Sequence, residues 1–297
     1  MDFLGGMKGS LVMSEFIEFK GVAYAAANLD SKNRYILQDI NFEIKQGEFI
    51  SIIGPNGCGK STLLKLFNGA LIQTQGEVYI NSLTNQNPDD LYNIRKSVGM
   101  VLQDPDTQII ASTVEEEIAF GMENLCVPKV EMEFIIEEVL HAVGMSGFQK
   151  VPTSYLSGGQ KQRLNIASIL AMKPKIIILD ESTSMLDSHS RNEIMNLLLK
   201  LNRSDKITVI LVTHFTEEVV VTDRVILMDK GRIKSIGSPV SILSNQEFWQ
   251  NPCISPLQST EILAYLKKLG YDVSLKAFGT QDCADEIVRL LESYRND

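Results

Sequence analysis

The sequence lacks any apolar run long enough to cross a membrane. Its longest apolar stretches, such as Ile176–Leu179 and Val209–Val212, have the length of buried strands, whereas a spanning helix needs roughly 18 apolar residues. The chain is therefore not expected to cross a bilayer itself. A role at a membrane stays open, because a subunit of this kind can bind a membrane partner.

The sequence also lacks paired cysteines and a surplus of positive charge. Its four cysteines are scattered without a C-x-x-C pair, which argues against a zinc site and against a disulfide framework. The 28 Lys and Arg residues are outnumbered by 37 Asp and Glu residues, giving a net charge of −9. This disfavours binding to nucleic acid, since no cationic surplus exists to release counterions. Residues 1–15 contain no sustained apolar core, so no secretory signal is expected and the cytoplasm is the expected compartment.

Strand-like and amphipathic helical stretches alternate along the chain, which predicts an α/β fold with a largely parallel sheet. The length of 297 residues fits one large domain with a smaller appendage. We expect a flexible segment at 1–14, a main domain over 15–250 and a helical extension over 251–297. Buried strands are predicted at Phe49–Ile53, Val98–Leu102, Ile176–Asp180 and Ile207–Thr213, a hairpin at Val225–Met228 and Ile233–Ile236, and helices at Lys60–Asn68, Met132–Val143, Ser255–Gly270 and Asp285–Tyr294.

A glycine-rich loop is predicted to bind phosphate. It fits the pattern G-x-x-x-x-G-K-[ST], follows a predicted strand and precedes a predicted helix. Glycines let successive backbone N–H groups curl around phosphates, and the helix N-terminus adds partial positive charge. Lys60 is expected to contact the β- and γ-phosphates and Ser61 to bind magnesium. The predicted phosphate-binding residues are Gly54, Pro55, Asn56, Gly57, Cys58, Gly59, Lys60, Ser61 and Thr62.

Two adjacent carboxylates end the apolar run Ile176–Leu179. Asp180 and Glu181 would emerge at the strand edge where open α/β sheets bind ligands. Asp180 is expected to hold magnesium through water, and Glu181 is expected to polarise an attacking water. Apolar strands that end in acidic residues are common, so the pair alone is weak evidence. Together with the phosphate loop it predicts a nucleotide-hydrolysis site.

A third motif lies between the first two and opens a helical pattern. It consists of Leu156, Ser157, Gly158, Gly159 and Gln160. With this LSGGQ motif in place, the chain resembles the ATP-binding cassette (ABC) ATPases over roughly residues 15–245. The resemblance implies a P-loop NTPase fold, in which a RecA-like core carries an antiparallel β subdomain and an α-helical subdomain at about 104–172. It also implies ATP and Mg2+ as cofactors, and two cassettes paired head to tail so that each LSGGQ segment serves the opposite ATP.

The same resemblance assigns further residues. Gln103 matches the glutamine that contacts magnesium and water, and His214 matches the histidine that contacts the γ-phosphate. Both are expected to act in hydrolysis with Glu181. Asp187 is expected to bridge the two cassettes, and Tyr24 is the candidate for stacking on adenine, although other aromatic residues are nearby. The expected magnesium ligands are Ser61, Gln103 and Asp180.

A more local stretch narrows the resemblance. Residues 103–110 (QDPDTQII) and 113–124 resemble the ATPase subunits of energy-coupling factor (ECF) transporters, including cobalt and nickel importers. Residues 180–187 resemble the first of the two paired ECF ATPases more than the second. This implies a peripheral protein at the cytoplasmic face of the cell membrane. Its partners would be a second related ATPase (or a second copy of this chain), an integral T subunit and a membrane S component that binds a vitamin or metal ion. Asp104 and Asp106 lie where the T subunit should dock, and we expect them to attract its basic residues.

Other functions stay open at this point. The chain could be the ATPase of a conventional ABC importer, in which a binding protein feeds two larger permeases. A soluble ABC ATPase of DNA repair or translation is disfavoured, because the sequence has one P-loop, no long coiled-coil insertion and a negative net charge. A silent structural cassette is disfavoured by the presence of Glu181 and His214. The leading hypothesis is an enzyme that couples ATP hydrolysis to transport into the cell.

Overall fold

The computed structural model describes residues 16–26, 35–245, 247–250 and 256–295, so the segment expected to be flexible, 1–14, lies outside the described residues. The strands are β1 (Ile17–Ala25), β2 (Tyr35–Ile44), β3 (Phe49–Ile53), β4 (Gln75–Ile80), β5 (Leu83–Thr84), β6 (Val98–Val101), β7 (Ile176–Asp180), β8 (Thr208–Val212), β9 (Arg224–Asp229) and β10 (Arg232–Gly237). The helices are α1 (Lys60–Phe67), α2 (Pro88–Ser97), α3 (Val114–Asn124), α4 (Lys129–Ala142), α5 (Gly158–Ala171), α6 (Ser188–Asp205), α7 (Thr216–Val220), α8 (Pro239–Leu243), α9 (Gln258–Lys268) and α10 (Thr280–Arg295).

A six-stranded sheet forms the centre of the molecule, in the order β10-β9-β3-β8-β7-β6. Strands β6, β7, β8, β3 and β9 run parallel to their neighbours, and β10 is antiparallel to β9. The predicted strands and the hairpin are confirmed to within one residue at each end. Parallel strands are covered on both faces and therefore read as continuous apolar runs, which is why the sequence located them. The carboxyl ends of β3, β8, β7 and β6 lie side by side.

An antiparallel sheet, in the order β2-β1-β4-β5, packs beside the first helix. The rings of Phe19 on β1 and Phe42 on β2 stack with centroids 4.6 Å apart, and the ring of Phe67 at the end of α1 lies 4.7 Å from Phe19. These aromatic contacts attach the sheet to the helix that follows the glycine-rich loop. Strand β1 shifts register between Phe19 and Val22, so its alternation of buried and exposed residues is broken.

Helices α3, α4 and α5 form a unit between β6 and β7, and their apolar faces join one core cluster with the sheet. In β7, Ile177 and Leu179 point into this cluster, whereas Ile176 and Ile178 face the cluster around α1. The predicted helix over 132–143 is observed from 129 to 142. In the part of the chain that the structure describes, no helix combines the length and apolar character needed to cross a membrane.

Helices α9 and α10 form a small C-terminal unit around Leu263, Cys283 and Leu290. Helix α9 begins at Gln258 with Leu257 at its N-cap, and the cap predicted at Ser255 lies outside the described residues. Helix α10 begins at Thr280, five residues before the predicted start. The reason is a turn that the periodicity did not show: the N–H of Gly279 donates to the carboxylate of Asp282 at 3.1 Å, and the N–H of Cys283 donates to the Gly279 carbonyl at 3.0 Å.

Candidate active site

The glycine-rich loop joins the end of β3 to the start of α1. Gly59 caps α1 in the left-handed region, with φ of +107°, and a Cβ placed there would lie 2.8 Å from the Cδ2 atom of Leu37. The left-handed conformation therefore favours glycine at this position, and a Cβ there would also force the Leu37 methyl to shift. No side chain accepts the first N–H groups of this helix, so they are free to bind an anion at the helix N-terminus.

A cavity of about 330 Å³ lies beside this loop. Its walls combine loop residues with groups from two other strand ends and from the antiparallel sheet. The lining residues are Ile36, Asn56, Gly57, Gly59, Lys60, Ser61, Thr62, Gln103 and Glu181. The structure thus brings the predicted phosphate loop together with two residues predicted from separate motifs.

Lys60 is a buried charge, only 5% exposed. Its Nζ atom donates to the carbonyl of Gly54 at 2.8 Å and to the carbonyl of Pro55 at 3.3 Å. It also lies 3.5 Å from the Oε1 atom of Glu181. These contacts hold the ammonium group at the mouth of the loop, where it can meet a phosphate.

The carboxylate of Glu181 contacts several other side chains of the site. Its Oε1 atom lies 2.7 Å from Nε2 of His214, and its Oε2 atom accepts a hydrogen bond from Nε2 of Gln103 at 3.2 Å. Glu181 follows β7, His214 follows β8 and Gln103 follows β6, so neighbouring parallel strands deliver all three. The structure therefore brings together the three residues predicted to act in hydrolysis.

The backbone of Glu181 lies in the left-handed region, with φ of +49°, which is uncommon for a residue other than glycine. Two backbone hydrogen bonds hold it there: its N–H donates to the carbonyl of Val212 at 3.0 Å, and its carbonyl accepts from Ser184 at 3.1 Å. Such conformations persist where the surroundings fix them, and they cluster at functional sites.

Asp180 lies one residue before Glu181 and forms a hydrogen bond with the Ser61 side chain. Burial raises the pKa of Asp180 above its ordinary value, and the neighbouring charge of Glu181 adds to this. The Ser61 hydrogen bond and the ammonium groups of Lys60 and Lys65 act in the opposite direction. The Asp180 carboxylate and the Ser61 hydroxyl are thus neighbours, and both are oxygen groups of the kind that Mg2+ prefers.

The LSGGQ segment begins helix α5. The N–H of Gln160 donates to Oγ of Ser157 at 3.3 Å, and the N–H of Ser157 donates to Oε1 of Gln160 at 2.9 Å, which completes a capping box. A Cβ placed on Gly158 would meet no atom within 4 Å. Among the described residues that line the cavity at the phosphate loop, none belongs to this segment. The motif therefore presents an open helix N-terminus away from the loop of its own chain.

Asp187 and Tyr24 lie outside the cavity lining. Asp187 caps helix α6: its carboxylate accepts from the N–H and the hydroxyl of Ser190 at 3.0 and 2.9 Å. These bonds lower the pKa of Asp187. Tyr24 is half-buried and packs against the core around α1, and Ile36 forms the cavity wall on that side. The stacking of Tyr24 on adenine stays a prediction.

The segment after Gln103 forms a short 3-10 turn, Pro105–Thr107. The Asp104 carboxylate accepts from the N–H of Asp106 at 3.0 Å. Asp106 pairs with Lys161 of α5 and is 67% exposed. Both residues expected to attract a basic partner thus already have a partner within the chain.

Sequence reasoning missed a set of contacts next to the site, which Arg191 on α6 makes with Phe215 and with the buried Glu218. A glutamate placed directly before three valines was the available signal for Glu218. Arg191, its partner on α6, had no such signal, because the two residues lie 27 positions apart in the chain.

Comparison with known proteins agrees with this geometry. The ABC transporter family model matches residues 37–184. The chain is 43% identical over 277 residues to the energy-coupling factor transporter ATP-binding protein EcfA1 of Caldanaerobacter subterraneus subsp. tengcongensis, covering 93% of this chain and 100% of that protein. It is 39% identical over 281 residues to the protein of that name from Streptococcus pneumoniae, covering 94% of this chain and 100% of the relative.

Solved structures give the same result. CbiO1 of Clostridium perfringens, described as part of the ABC transporter complex cbiONQ, aligns with a TM-score of 0.72 and 32% identity, over 86% of this chain and 98% of that one. The ATP-binding cassette MJ0796, in a dimeric post-hydrolysis state bound to ADP and Pi, aligns with a TM-score of 0.69 and 32% identity, over 75% of this chain and 98% of that one.

The fold and the site define a P-loop ATPase cassette of the ABC type, as the sequence predicted. The chain belongs to the ABC transporter family and, within it, to the energy-coupling factor transporter ATP-binding proteins. The predicted likeness to the first of the paired ATPases is confirmed by the EcfA1 names of these relatives.

Proposed function

We propose that the chain binds ATP with Mg2+ and hydrolyses it, acting as a translocase subunit that energises import through a membrane partner. The observation that carries this proposal is the convergence of Lys60, Gln103 and His214 on the Glu181 carboxylate, beside the cavity of the phosphate loop. Four separate segments of the chain meet there. Such an arrangement suits phosphoryl transfer, in which positioning and charge stabilisation supply most of the catalysis.

Each residue of the group has a distinct task in the proposed hydrolysis. The Glu181 carboxylate would accept a hydrogen bond from the attacking water and orient it toward the γ-phosphate. His214 and Gln103, which now hold this carboxylate, would fix its orientation and contact the γ-phosphate and the water. Lys60 would exchange its backbone carbonyl partners for phosphate oxygens and stabilise the developing charge.

The residues present fit magnesium. Mg2+ prefers oxygen ligands, keeps several waters and is commonly bound by one or two protein groups together with phosphates. The adjacent oxygens of Ser61 and Asp180 match this demand, and Gln103 lines the same cavity as Ser61. No cluster of three or more His, Cys, Asp or Glu residues in the described part of the chain could hold a metal alone. When bound, the ion would neutralise charge on the phosphates.

The LSGGQ segment supports a proposed pairing of two cassettes. Its helix N-terminus is open and lies apart from the phosphate loop of its own chain, so it suits a γ-phosphate held by another chain. Asp187, at the start of the next helix, would bridge the two cassettes. We propose a second related ATPase as the partner, with a homodimer as the alternative.

The membrane side of the proposal rests on the family to which the chain belongs. We propose an integral T subunit and a substrate-binding S component as further partners, with the chain at the cytoplasmic face of the membrane. Asp104 and Asp106, at the turn Pro105–Thr107, are the proposed contact with basic residues of the T subunit. The boundaries proposed for the chain are 15–250 for the cassette, with its helical subdomain at about 104–172, and 251–297 for the C-terminal extension.

Co-expression tests this function. The chain should co-purify with a second cassette and one small T subunit, and the complex should hydrolyse ATP. Lys60→Ala should abolish nucleotide binding, while Lys65→Ala, an exposed lysine on the same helix, should leave it unchanged. Assembly with two large permeases fed by a binding protein would instead identify a conventional importer. An assembled complex without ATPase activity would overturn the proposal.

A further inference from the structure

An ion pair joins α6 to α7, next to the segments that follow Glu181 and His214. The Nε atom of Arg191 lies 3.7 Å from Oε1 of Glu218; the side chain of Glu218 is only 2% exposed and that of Arg191 is 20% exposed. Neither carboxylate oxygen of Glu218 has a hydrogen-bond partner of good geometry, and neither does Nε of Arg191. Burial raises the pKa of Glu218, while the nearby Thr213 and Thr183 hydroxyls and the Arg191 guanidinium pull it down.

This pair is a poor source of stability. Taking two charges out of water is costly, and the attraction between them offsets that cost only with close geometry and further hydrogen bonds. A separation of 3.7 Å without such bonds does not meet that condition. Apolar residues of similar volume would fill the space as well, so stability alone does not account for the pair.

The other contacts of Arg191 show what its position achieves. Its Nη2 atom donates to the carbonyl of Leu186 at 3.1 Å, five residues after Glu181. Its Cζ atom lies 3.4 Å from the centre of the Phe215 ring, so the guanidinium stacks on that ring. Phe215 directly follows His214 in the chain. One side chain therefore touches both the segment that follows Glu181 and the segment that follows His214.

We propose that Arg191 is a positioning residue for the Glu181–His214 pair, holding the two segments that carry them in register, with Glu218 fixing its guanidinium from behind. The inference rests on the proposed function and assigns it a further residue. Glu181 needs this support because its backbone is held in the left-handed region. The Glu181–His214 contact joins two separate loops, and no helix or strand connects these loops directly.

The test compares variants in the assembled ATPase complex, in which kcat and KM for ATP are measured. Arg191→Lys keeps the positive charge beside Glu218 but loses the planar stack and the forked donors. We expect kcat to fall about 10- to 100-fold, the loss typical of a displaced catalytic group, with KM within about twofold because the phosphate loop is untouched. The matched control is Arg203→Lys on the same helix, where the arginine is 58% exposed and pairs with Asp223. It should leave kcat unchanged.

Two further measurements separate positioning from simple packing. In a His214→Ala background, single-turnover rates should show a smaller added loss from Arg191→Lys than in the unaltered protein, since one member of the pair that Arg191 positions is already absent. Phe215→Tyr should retain activity because the stack survives, while Phe215→Leu should reproduce the loss although it fills most of the space. Thermal unfolding confirms that each variant is folded.

The proposal is overturned if Arg191→Lys leaves kcat unchanged, or if its loss is the same with and without His214. It is also overturned if Phe215→Leu behaves like Phe215→Tyr. Failure of the proposed function would look different, because the unaltered complex would then lack ATPase activity or Glu181→Gln would retain it.

Discussion

The Nε2 atom of His214 lies 2.7 Å from Oε1 of Glu181, and the same oxygen lies 3.5 Å from Nζ of Lys60. A histidine and a lysine from two other segments thus share one carboxylate oxygen. This contact exists because β3, β7 and β8 are adjacent in the sheet and end at the same edge. The order of the strands, rather than proximity in the chain, builds the site.

Glu181→Gln tests the centre of this arrangement. The amide keeps the shape of the side chain but removes the negative charge that orients water, so ATP hydrolysis should fall at least about 100-fold, in the range seen when a general base is lost. ATP binding should persist, because the phosphate loop is intact. Steady-state turnover and nucleotide binding measure the two effects. Glu217→Gln, an exposed glutamate nearby on α7, is the control. Turnover at the unaltered rate would remove Glu181 from its assigned role.

Ser157→Ala separates helix capping from function at the LSGGQ motif. Loss of the cap should lower the free energy of unfolding by about 1 kcal/mol. Ser238→Ala removes the same kind of cap from α8, where the N–H of Ser241 donates to Oγ of Ser238 at 3.2 Å, and should have a similar cost. Ser157→Ala should also reduce ATP turnover, by far more than its loss of stability explains. Ser238→Ala should leave turnover unchanged. Chemical denaturation and ATPase rates measured together check this, and equal turnover in both variants would contradict it.

Glu117→Ala tests the support beneath the turn after Gln103. The buried carboxylate of Glu117 accepts from the N–H groups of Ile110 and Ala111 at 2.9 and 2.8 Å. Its removal leaves both donors without their partner, so the free energy of unfolding should fall by about 2 kcal/mol or more. Glu115 lies on the same helix as Glu117 and pairs with the exposed Lys150 from another segment, so Glu115→Ala should cost well under 1 kcal/mol. Urea denaturation measures both, and equal costs would contradict the assigned support.

The sequence located the site because its chemistry is local. The phosphate loop, the Asp180–Glu181 pair and the LSGGQ cap each lie within a few consecutive residues, and the buried strands before them are continuous apolar runs. Strand β1 left no such pattern, because its register shifts between Phe19 and Val22 break the alternation.

Contacts made only in three dimensions were not predicted. Arg191, on α6, contacts Phe215 and Glu218 at the start of α7. The spacing of these residues in the sequence does not predict a contact. The wall of the cavity at the phosphate loop was also not predicted, because it includes Ile36, a strand residue that no motif marks. Motifs of consecutive residues could be predicted from the sequence. The residues that contact and position these motifs could not, because those contacts depend on tertiary packing.

Asp180→Asn should stabilise the nucleotide-free protein at pH 8. Burial raises the pKa of Asp180 in the folded state, so the folded chain binds a proton more readily than the unfolded chain, and ionisation at high pH is destabilising. Asparagine removes that cost and can still accept the hydrogen bond from Ser61. Its advantage should shrink as the pH falls through the raised pKa and vanish below the ordinary pKa of aspartate, where both chains are neutral.

Thermal unfolding at pH 8 and at pH 4 measures this difference. Asp205→Asn, at the exposed end of α6, is the control, because an exposed substitution of this kind usually changes stability by no more than about 0.5 kcal/mol. With ATP and Mg2+ at pH 8, the unaltered protein should become more stable than Asp180→Asn. The Asp180 carboxylate, which is destabilising in the nucleotide-free protein, would then lie near the metal and favour its binding. Ligands that bind only the folded state stabilise that state. If Asp180→Asn is less stable than the unaltered protein in the absence of nucleotide, the contacts of the Asp180 carboxylate stabilise the fold by more than its burial costs. A variant stabilised equally by ATP and Mg2+ would show that this carboxylate does not serve the metal.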